Sequence, residues 1–283
     1  MTAVVLALGA AALWGTGDFL GGLATRRVSV LTVLFWSQLV GLAGLSVWVV
    51  ASGAARPGAG LWFALAGGIA GVIGLGCLYR GMAVGAMGIV APISATSPIV
   101  PLVVDLVRGN APAPLQWVGI AFALAGIVLV SREPGSARAT GGGARRPVAA
   151  GVGLALIAAL GFGLFIVGLG EAAQESAPWA TATARLGAVS ALVLVLVSTR
   201  TVPRASARLL PLIVAVGVFD AAANALIALA ATRGSIGIVA VLSSLDPITT
   251  ILLARAILHE RLGTTRTVGG LIALGGAALI AAG

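Results

Sequence analysis

Apolar residues run through this chain in long blocks, separated by short connections that are polar or carry arginine. A helix rises 1.5 Å per residue, so about 20 residues cross the hydrocarbon of a membrane, and ten blocks have lengths near that value. Apolar residues make up 59% of the chain and charged residues only 9%, compared with about 25% charged residues in soluble domains. We therefore predict an all-α, polytopic membrane protein with ten transmembrane helices. The predicted segments are 3–23, 30–51, 61–79, 87–107, 115–131, 149–170, 178–198, 209–231, 235–257 and 265–282.

The two halves of the chain share a sequence motif. Residues 88–100 read GIVAPISATSPIV, and residues 237–249, 149 positions later, read GIVAVLSSLDPIT. Each copy lies in the fourth segment of its half, which indicates an internal duplication. Five crossings in each repeat force the second repeat to lie inverted relative to the first, an arrangement typical of transporters. The predicted units are a first five-helix repeat over 1–131, a flexible basic linker over 132–148 and a second five-helix repeat over 149–283.

The basic residues predict how the chain is oriented. All 17 are arginines, and thirteen of them lie in or beside connections that follow an odd-numbered segment, whereas three lie toward the opposite face. Because positive charge favours the cytoplasmic side, this count places the odd-numbered connections in the cytoplasm and both chain ends outside. The net charge of +9 is thus explained by topology, and we expect no nucleic acid as a partner.

The Asp and Glu residues lie in different parts of the predicted topology. All four Glu lie in connections or near helix ends, whereas all four Asp lie within predicted segments. A charged side chain near the bilayer centre costs about 2.5–3.5 kcal/mol on insertion scales, so it normally faces a cavity or the bundle interior. Asp220 and Asp246 at mid-segment, together with Asp18, are candidate residues of a substrate and ion pathway. The alternative is a hydrogen-bonded tie between helices, which Asp105 fits better because it lies near a helix end.

Arg185 is the only arginine placed well inside a predicted segment, so it needs a partner. The candidates are one of the membrane Asp residues, a Glu near a helix end that Arg185 reaches by snorkelling, and an anionic group of the substrate. Gln38 occupies the equivalent position when the repeats are offset by 147 residues. Asn224 lies four residues after Asp220 and therefore on the same helix face. We predict that these polar residues belong to the pathway.

Prolines interrupt the duplicated motif at matching positions, Pro98 and Pro247. Each removes a backbone hydrogen bond and kinks its helix. Broken helices in a bilayer tend to line a pathway, because the freed carbonyl groups need protein or water as partners. A kink that serves packing alone is the alternative. Trp14, Trp36 and Tyr79 would give such a pathway aromatic walls for a small organic solute, although aromatic residues in helices more often simply pack.

The chain offers little for catalysis or metal binding. One Cys and one His cannot form a His/Cys metal site, and a chain without Lys has no P-loop for nucleotide phosphates. No nucleophile is paired with a base. We predict no enzyme, no cofactor and no metal. The expected partners are a small-molecule substrate, the lipid bilayer and protons, and both a monomer and a homodimer stay open.

Four stretches resemble the EamA-like family of the drug/metabolite transporter superfamily. They are the duplicated motif, LWGTGDFLGGLATRR (13–27), FDAAAN (219–224) and LLARAILHERL (252–262). The resemblance covers essentially the whole chain. It implies ten helices in two inverted repeats around a central cavity in the cell (plasma or inner) membrane, and export of small metabolites or amphipathic compounds by alternating access. Proton-coupled export is one possibility, and an uncoupled facilitator or a channel-like protein is the alternative.

The chain departs from the family pattern at two places. The family motif Glu260, Arg261 and Leu262 follows the ninth segment, but RGNAPAPLQW (108–117) after the fourth segment contains no Glu. Asp246 stands where many relatives are expected to have an aromatic residue such as Tyr, so it is a candidate determinant of substrate choice. The resemblance also implies cytoplasmic chain ends, which is opposite to the arginine count.

Overall fold

The structure is a computed structural model that describes residues 1–55, 57–84, 87–131, 148–259 and 263–283. The chain is helical, and the described residues contain no strand. Residues 132–147 of the predicted linker and the motif at 260–262 lie outside the described residues, whereas residue 148 begins a helix. The helices are α1 (Thr2–Thr25), α2 (Val30–Ser52), α3 (Leu61–Val84), α4 (Met87–Ser94), α5 (Ile99–Val107), α6 (Pro114–Val130), α7 (Val148–Ser198), α8 (Leu210–Ala231), α9 (Ile236–Ser243), α10 (Asp246–Leu258) and α11 (Thr264–Ala282).

These helices make ten crossings. Eight helical stretches of the described residues are long and apolar enough to span a membrane, and α6 is a shorter apolar helix. One of the eight lies in the 51-residue α7, which at 1.5 Å per residue is about 77 Å long and so spans a bilayer twice. The extended backbone of Ser176 (φ −165°, ψ 110°) divides α7 into two limbs, 148–175 and 177–198. The ten predicted segments are confirmed, with ends within five residues of those observed.

The fourth and ninth crossings are each made of two short helices. Four residues separate α4 from α5, and two residues separate α9 from α10. Pro98 precedes the first residue of α5, and Pro247 is the second residue of α10. Proline fits the start of a helix because its missing N–H would have no helical partner there. Both prolines therefore begin the second half of a broken helix.

The helices of one repeat pack largely on those of the other. α1, the first crossing of the first repeat, packs on α8, the third crossing of the second repeat. In the same way the first limb of α7, the first crossing of the second repeat, packs on α3, the third crossing of the first repeat. α2 contacts the second limb of α7, α5 contacts α9, and α6 packs on α11. Each of these last three pairs joins equivalent crossings of the two repeats. Exchanging the repeats thus reproduces the contacts, as an inverted duplication requires.

Glycine permits the closest of these approaches. A Cβ atom at Gly68 of α3 would lie 1.9 Å from the carbonyl oxygen of Ala184, and one at Gly126 of α6 would lie 2.4 Å from the nitrogen of Ala273. Both contacts are with the backbone of the other repeat, so no side-chain rotation would relieve them. Small residues at helix contacts let membrane helices pack closely. Close packing of this kind joins the repeats around a central space.

Candidate functional site

A cavity of about 670 Å³ lies between the repeats. Its lining extends from the middle of the helices to the ends that meet the odd-numbered connections, where Thr25, Val30 and Ser131 lie. We call this side the open face and the opposite side, with the even-numbered connections and the chain ends, the closed face. Of the described residues in the even-numbered connections, none lines the cavity. The other polar lining residues include Trp14, Asp18, Ser37, Gln38, Tyr79, Ser94, Ser97, Thr181, Arg185, Asp220, Asn224, Ser244 and Asp246.

Asp220 on α8 accepts hydrogen bonds from four side chains. The indole nitrogen of Trp14 lies 3.0 Å from Oδ1, and Nδ2 of Asn224 lies 3.5 Å from the same atom. Arg185 Nη1 lies 2.5 Å from Oδ2, and Gln38 Nε2 lies 3.4 Å from it. An ionised carboxylate has about four lone-pair sites and no donor. Four donors therefore match an ionised Asp220.

Arg185 on the second limb of α7 is buried, with only 5% of its side chain exposed, whereas 26% of the Asp220 side chain is exposed. Of the three partners considered for Arg185, the structure shows a membrane Asp, and Gln38 Oε1 also accepts a hydrogen bond from Nη1. Gln38 and Arg185 occupy equivalent positions in the two repeats and contact each other. Among the described residues, none is a hydrogen-bond partner of Arg185 Nη2. The guanidinium group thus holds Asp220 and Gln38 together and keeps a free donor.

Asp18 and Asp246 form a second acidic group in the same cavity. Asp18 lies on α1, and Asp246 is the first residue of α10. α1 approaches the start of α10 closely, because a Cβ atom at Gly15 would lie 2.3 Å from the Asp246 carbonyl oxygen. The Thr250 hydroxyl donates to the Gly15 carbonyl oxygen at 2.9 Å and holds the two helices together. The break before α10 therefore places the start of this helix against α1, and Asp18 and Asp246 line the same cavity from the two repeats.

Some of the remaining predicted site residues line the cavity and others do not. Tyr79 and Pro247 line the cavity, but Trp36 and Pro98 do not. Trp36 donates a hydrogen bond to the Pro203 carbonyl oxygen at 2.9 Å and is 36% exposed. Successive residues point about 100° apart around a helix, so the Trp36 ring points away from the cavity that Gln38 lines. Pro98 is buried beside the lining, and a pathway role for these residues stays a prediction.

Sequence reasoning missed several residues that line the cavity. Phe162 and Phe165 contribute apolar wall from the first limb of α7, and Ser97 contributes a hydroxyl from the fourth crossing. Ser97 could have been predicted from the sequence, because the 149-residue offset makes it the repeat equivalent of Asp246. The two phenylalanines could not have been predicted, because the sequence of a membrane helix does not show which neighbour an aromatic residue faces.

Polar contacts between the repeats join the closed face. Arg108 at the end of α5 forms an ion pair with Glu171 of α7. The hydrogen bond to Glu171 and the charge of Glu171 raise the pKa of Arg108 above its ordinary value. Glu175 accepts a hydrogen bond at 3.0 Å from the backbone nitrogen of Gly58 in the connection after α2. Glu171 and Glu175 thus link the two repeats at the closed face, and neither is the partner of Arg185.

Asp105 has the structural role that its position near a helix end predicted. It is buried, and its Oδ2 atom accepts hydrogen bonds from the Ser235 hydroxyl at 2.5 Å and from the Gly237 backbone nitrogen at 2.6 Å. These donors lie at the start of α9, where free backbone N–H groups favour an anion. Asp105 therefore ties the first repeat to α9 at the closed face and does not line the central cavity.

Two inverted five-helix repeats around a cavity that reaches one face are typical of membrane transporters. The family comparison agrees, because the model of the EamA-like transporter family matches residues 1–132 and again residues 149–282. The chain belongs to this family. It is therefore a multi-pass membrane transporter of the drug/metabolite type, a class that moves a small-molecule substrate across lipid and is not enzymatic.

Solved structures support the same fold. Twenty-nine chains match, and one of them is described only as "Crystal structure of protein". It aligns over 98% of this chain and 95% of its own length, with a TM-score of 0.78 and 20% sequence identity. A comparison with curated proteins finds no match. The structural likeness concerns the fold alone, and any argument about the substrate has to come from the chemistry of the cavity.

Proposed function

We propose that the protein exports small organic solutes from the cell in exchange for protons, by alternating access across the plasma or inner membrane. The observation that carries this proposal is the central cavity, in which three Asp and one Arg from both repeats meet between membrane helices. Charges at that depth are costly unless water or a ligand reaches them. We place the repeats at 1–131 and 149–283, with 132–148 as the linker between them.

The one-sided cavity supports export. With the arginine-rich connections in the cytoplasm, as the positive-inside bias favours, the open face is cytoplasmic and a solute loads from inside the cell. Release on the other side then requires the closed face to separate. Arg108 and Glu171 suit such a transient closure because 49% and 23% of their side chains are exposed, and exposed ion pairs contribute only about 0.2–1 kcal/mol.

Asp220 favours a second candidate, the uncoupled facilitator. Its four donors match a carboxylate that stays ionised, so this residue has no need to exchange a proton. The two candidates share cavity and fold and differ in one property. A coupled exporter moves its solute against a concentration gradient when a pH gradient is imposed, whereas a facilitator only equilibrates it.

The test is uptake of a mixed metabolite extract into proteoliposomes, with and without an acidic lumen, followed by mass spectrometry of the lumen. We expect solutes to accumulate in the lumen only when the protein and the pH gradient are both present. Protein-free liposomes and the Asp246→Asn variant are the controls, and both should lack gradient-driven accumulation. Accumulation of no solute would contradict transport, and equal uptake without the gradient would favour the facilitator.

A disulfide across the closed face is expected to stop transport. A Cβ atom at Gly234 would lie 2.8 Å from the Ala3 Cβ atom, and a small adjustment reaches the separation of about 3.5–4.5 Å that disulfides require. We predict that Ala3→Cys with Gly234→Cys, in a Cys77→Ser background, loses transport on oxidation and regains it on reduction. Each single cysteine variant is the control and should be insensitive to oxidant. Full transport by quantitatively cross-linked protein would show that the closed face need not open there.

A further inference from the structure

We propose that a second cavity, at the closed face, is an outer binding site for the solute, and that the Ile236 side chain is the gate between this site and the central cavity. Asp105 holds this gate shut. The inference rests on the transport function proposed above and adds to it the exit side of the pathway and the class of solute that can leave there. It also gives Asp105 a role in opening besides its structural role.

The second cavity has a volume of about 590 Å³ and lies between the repeats. The end of α5, the connection after it and the start of α6 line it from the first repeat. The end of the first limb of α7, the end of α8 and the start of α9 line it from the second. It is open to water at the closed face, because Asn110, Thr232 and Gly234 in its lining are exposed. We call it the outer cavity.

A thin apolar layer separates the outer cavity from the central cavity. Ile166 on the first limb of α7 lines the central cavity, whereas Gly170 on the same limb lines the outer cavity. Four residues of helix rise about 6 Å, so the two cavities lie about one helical turn apart along this limb. Ile236, which lines the outer cavity, belongs with Ile166 to one buried apolar cluster. The layer is therefore only a few side chains thick.

Ile236 fills this layer from the side of α9. A Cβ atom at Gly170 would lie 1.8 Å from the Ile236 Cδ1 atom, so the end of this side chain lies directly against the backbone of the first limb. Ile236 is 7% exposed. Because the contact is made by the flexible end of a side chain, a small movement of the start of α9 withdraws it. Such a movement joins the two cavities.

Asp105 on α5 fixes the position of Ile236. Its Oδ2 atom accepts hydrogen bonds from the Ser235 hydroxyl and from the Gly237 backbone nitrogen. The carboxyl group thus binds the residue before the gate and the residue after it. Hydrogen bonds to an ionised acceptor are about twice as strong as neutral ones. Asp105 is therefore a positioning residue that acts through Ile236.

A second link fixes α5 itself to the first limb of α7. Arg108 follows Asp105 by three residues and pairs with Glu171, the residue next to Gly170. Asp105, Arg108 and Glu171 all line the outer cavity. The start of α9 therefore leaves the first limb only when the hydrogen bonds of Asp105 or this ion pair break. The ion pair is the weaker link, because exposed pairs contribute little.

The polar lining of the outer cavity favours solutes that donate hydrogen bonds. The carboxyl groups of Asp105 and Glu171 share this lining with the single guanidinium group of Arg108, so negative charge is in excess. Among the described residues, none donates a hydrogen bond to Asp105 Oδ1. A solute with a hydroxyl or amino group therefore fits the outer cavity better than an organic anion does.

The two cavities differ in their apolar walls. Phe162 and Phe165 line the central cavity, whereas none of the described residues that line the outer cavity is aromatic. Aromatic side chains contribute large apolar contact areas. A solute with an apolar body thus binds more weakly in the outer cavity than in the central one, and this difference favours its release to water.

Labelling of single cysteines from the closed face tests the gate. In a Cys77→Ser background, Asn110→Cys reports on the outer cavity and Ser97→Cys reports on the central cavity. Intact cells and inverted membrane vesicles are both treated with membrane-impermeant methanethiosulfonates, and the preparation that labels Asn110→Cys presents the closed face. We expect rapid labelling of Asn110→Cys there, faster with a cationic than with an anionic reagent, and slow labelling of Ser97→Cys.

Opening the gate should expose the central cysteine. Adding Ile236→Ala to Ser97→Cys is expected to raise its labelling rate about tenfold, because removing a buried isoleucine side chain weakens the packing of the layer. Asp105→Ala should raise the rate similarly, and Asp105→Asn should raise it less because it keeps an acceptor. Val239→Ala is the matched control. It shortens a buried side chain of α9 that lines neither cavity, and it should leave the rate unchanged.

Filling the outer cavity tests its place in the pathway. Proteoliposomes with an acidic lumen are prepared from Asn110→Cys protein before and after modification with a bulky maleimide, and uptake from the metabolite extract is measured. We expect the modification to abolish uptake. Arg233→Cys is the control, because Arg233 is exposed in the same face of the protein but does not line the outer cavity. Its modification should leave uptake unchanged.

The outcomes separate this inference from the proposed function. The inference is overturned if Asn110→Cys labels in neither preparation, if Ile236→Ala and Asp105→Ala leave the labelling of Ser97→Cys unchanged, or if Val239→Ala raises it equally. Faster labelling of Asn110→Cys by the anionic reagent would overturn the class of solute. Unchanged uptake after complete modification of Asn110→Cys would overturn the inference while transport stands.

Absence of uptake by the unmodified protein would contradict the proposed function, but the labelling rates would still decide whether Ile236 is a gate. Should the alanine variants not fold, the effect of modifying Asn110→Cys on uptake decides instead.

Discussion

Replacing Arg185 by alanine is expected to abolish transport and to lower the free energy of unfolding by about 3 kcal/mol. Removing one partner of a buried ion pair typically costs about 3–5 kcal/mol, because the other charge stays buried without compensation. We expect the low end because 26% of the Asp220 side chain is exposed, so the cavity partly solvates it. Gln38 also loses a donor. Thermal unfolding in detergent and proteoliposome uptake measure the two effects.

Two variants control for the Arg185 prediction. Arg233→Ala removes an exposed arginine outside the cavity, and surface changes of this kind usually stay within about 0.5 kcal/mol. Adding Asp220→Ala to Arg185→Ala removes the charge left behind and should restore part of the stability but not transport, which a double-mutant cycle detects. Equal stability of Arg185→Ala and the unmodified protein would mean that the ion pair does not form.

The second large effect is expected at Gly68, where alanine should destabilise the protein strongly. Its Cβ atom would lie 1.9 Å from the carbonyl oxygen of Ala184, so α3 and the second limb of α7 would have to move apart. Overpacking typically costs about 1–3 kcal/mol, and we expect the upper end because the clash is with backbone. Ala184 precedes Arg185, so the shift should also weaken transport. Unfolding temperature and uptake are the measurements.

Gly76 provides a matched control in the same helix. A Cβ atom there would meet nothing within 4 Å, and alanine in a helix is about 0.5–1 kcal/mol more favourable than glycine. Gly76→Ala should therefore be neutral or slightly stabilising and should transport normally. Similar stability losses for Gly68→Ala and Gly76→Ala would show that helix propensity, and not close packing, governs these glycines.

The crossings and the duplication were predictable from sequence because both depend on local patterns. Apolar length indicated all ten crossings, although α3 and the first limb of α7 continue for five residues beyond the predicted ends. The helices continue through Arg80 and Glu171 because polarity at a membrane boundary does not by itself end a helix. The break at Ser176 was expected as a short connection, and the structure shows that a single extended residue suffices.

The partners within the site were not predictable in the same way. Sequence indicated that Arg185 needs an acid, but only the packing of α7 on α2 and α8 shows that Asp220 and Gln38 are the partners. Asp18 and Asp246 line the same cavity because Gly15 lets α1 approach the start of α10, a contact between repeats that neither sequence segment reveals. Trp36 donates a hydrogen bond to the Pro203 carbonyl oxygen, a partner that the sequence does not indicate, and its role in the pathway stays a prediction.

The most direct test of the central claim is the movement of protons against solute. A pH-sensitive dye is enclosed in proteoliposomes with an acidic lumen, and a solute identified from the metabolite extract is added outside. We predict that the lumen becomes less acidic as the solute enters and that the solute accumulates above its external concentration. Solute entry without any change of luminal pH, to the same level with and without the gradient, would contradict proton-coupled transport by this protein.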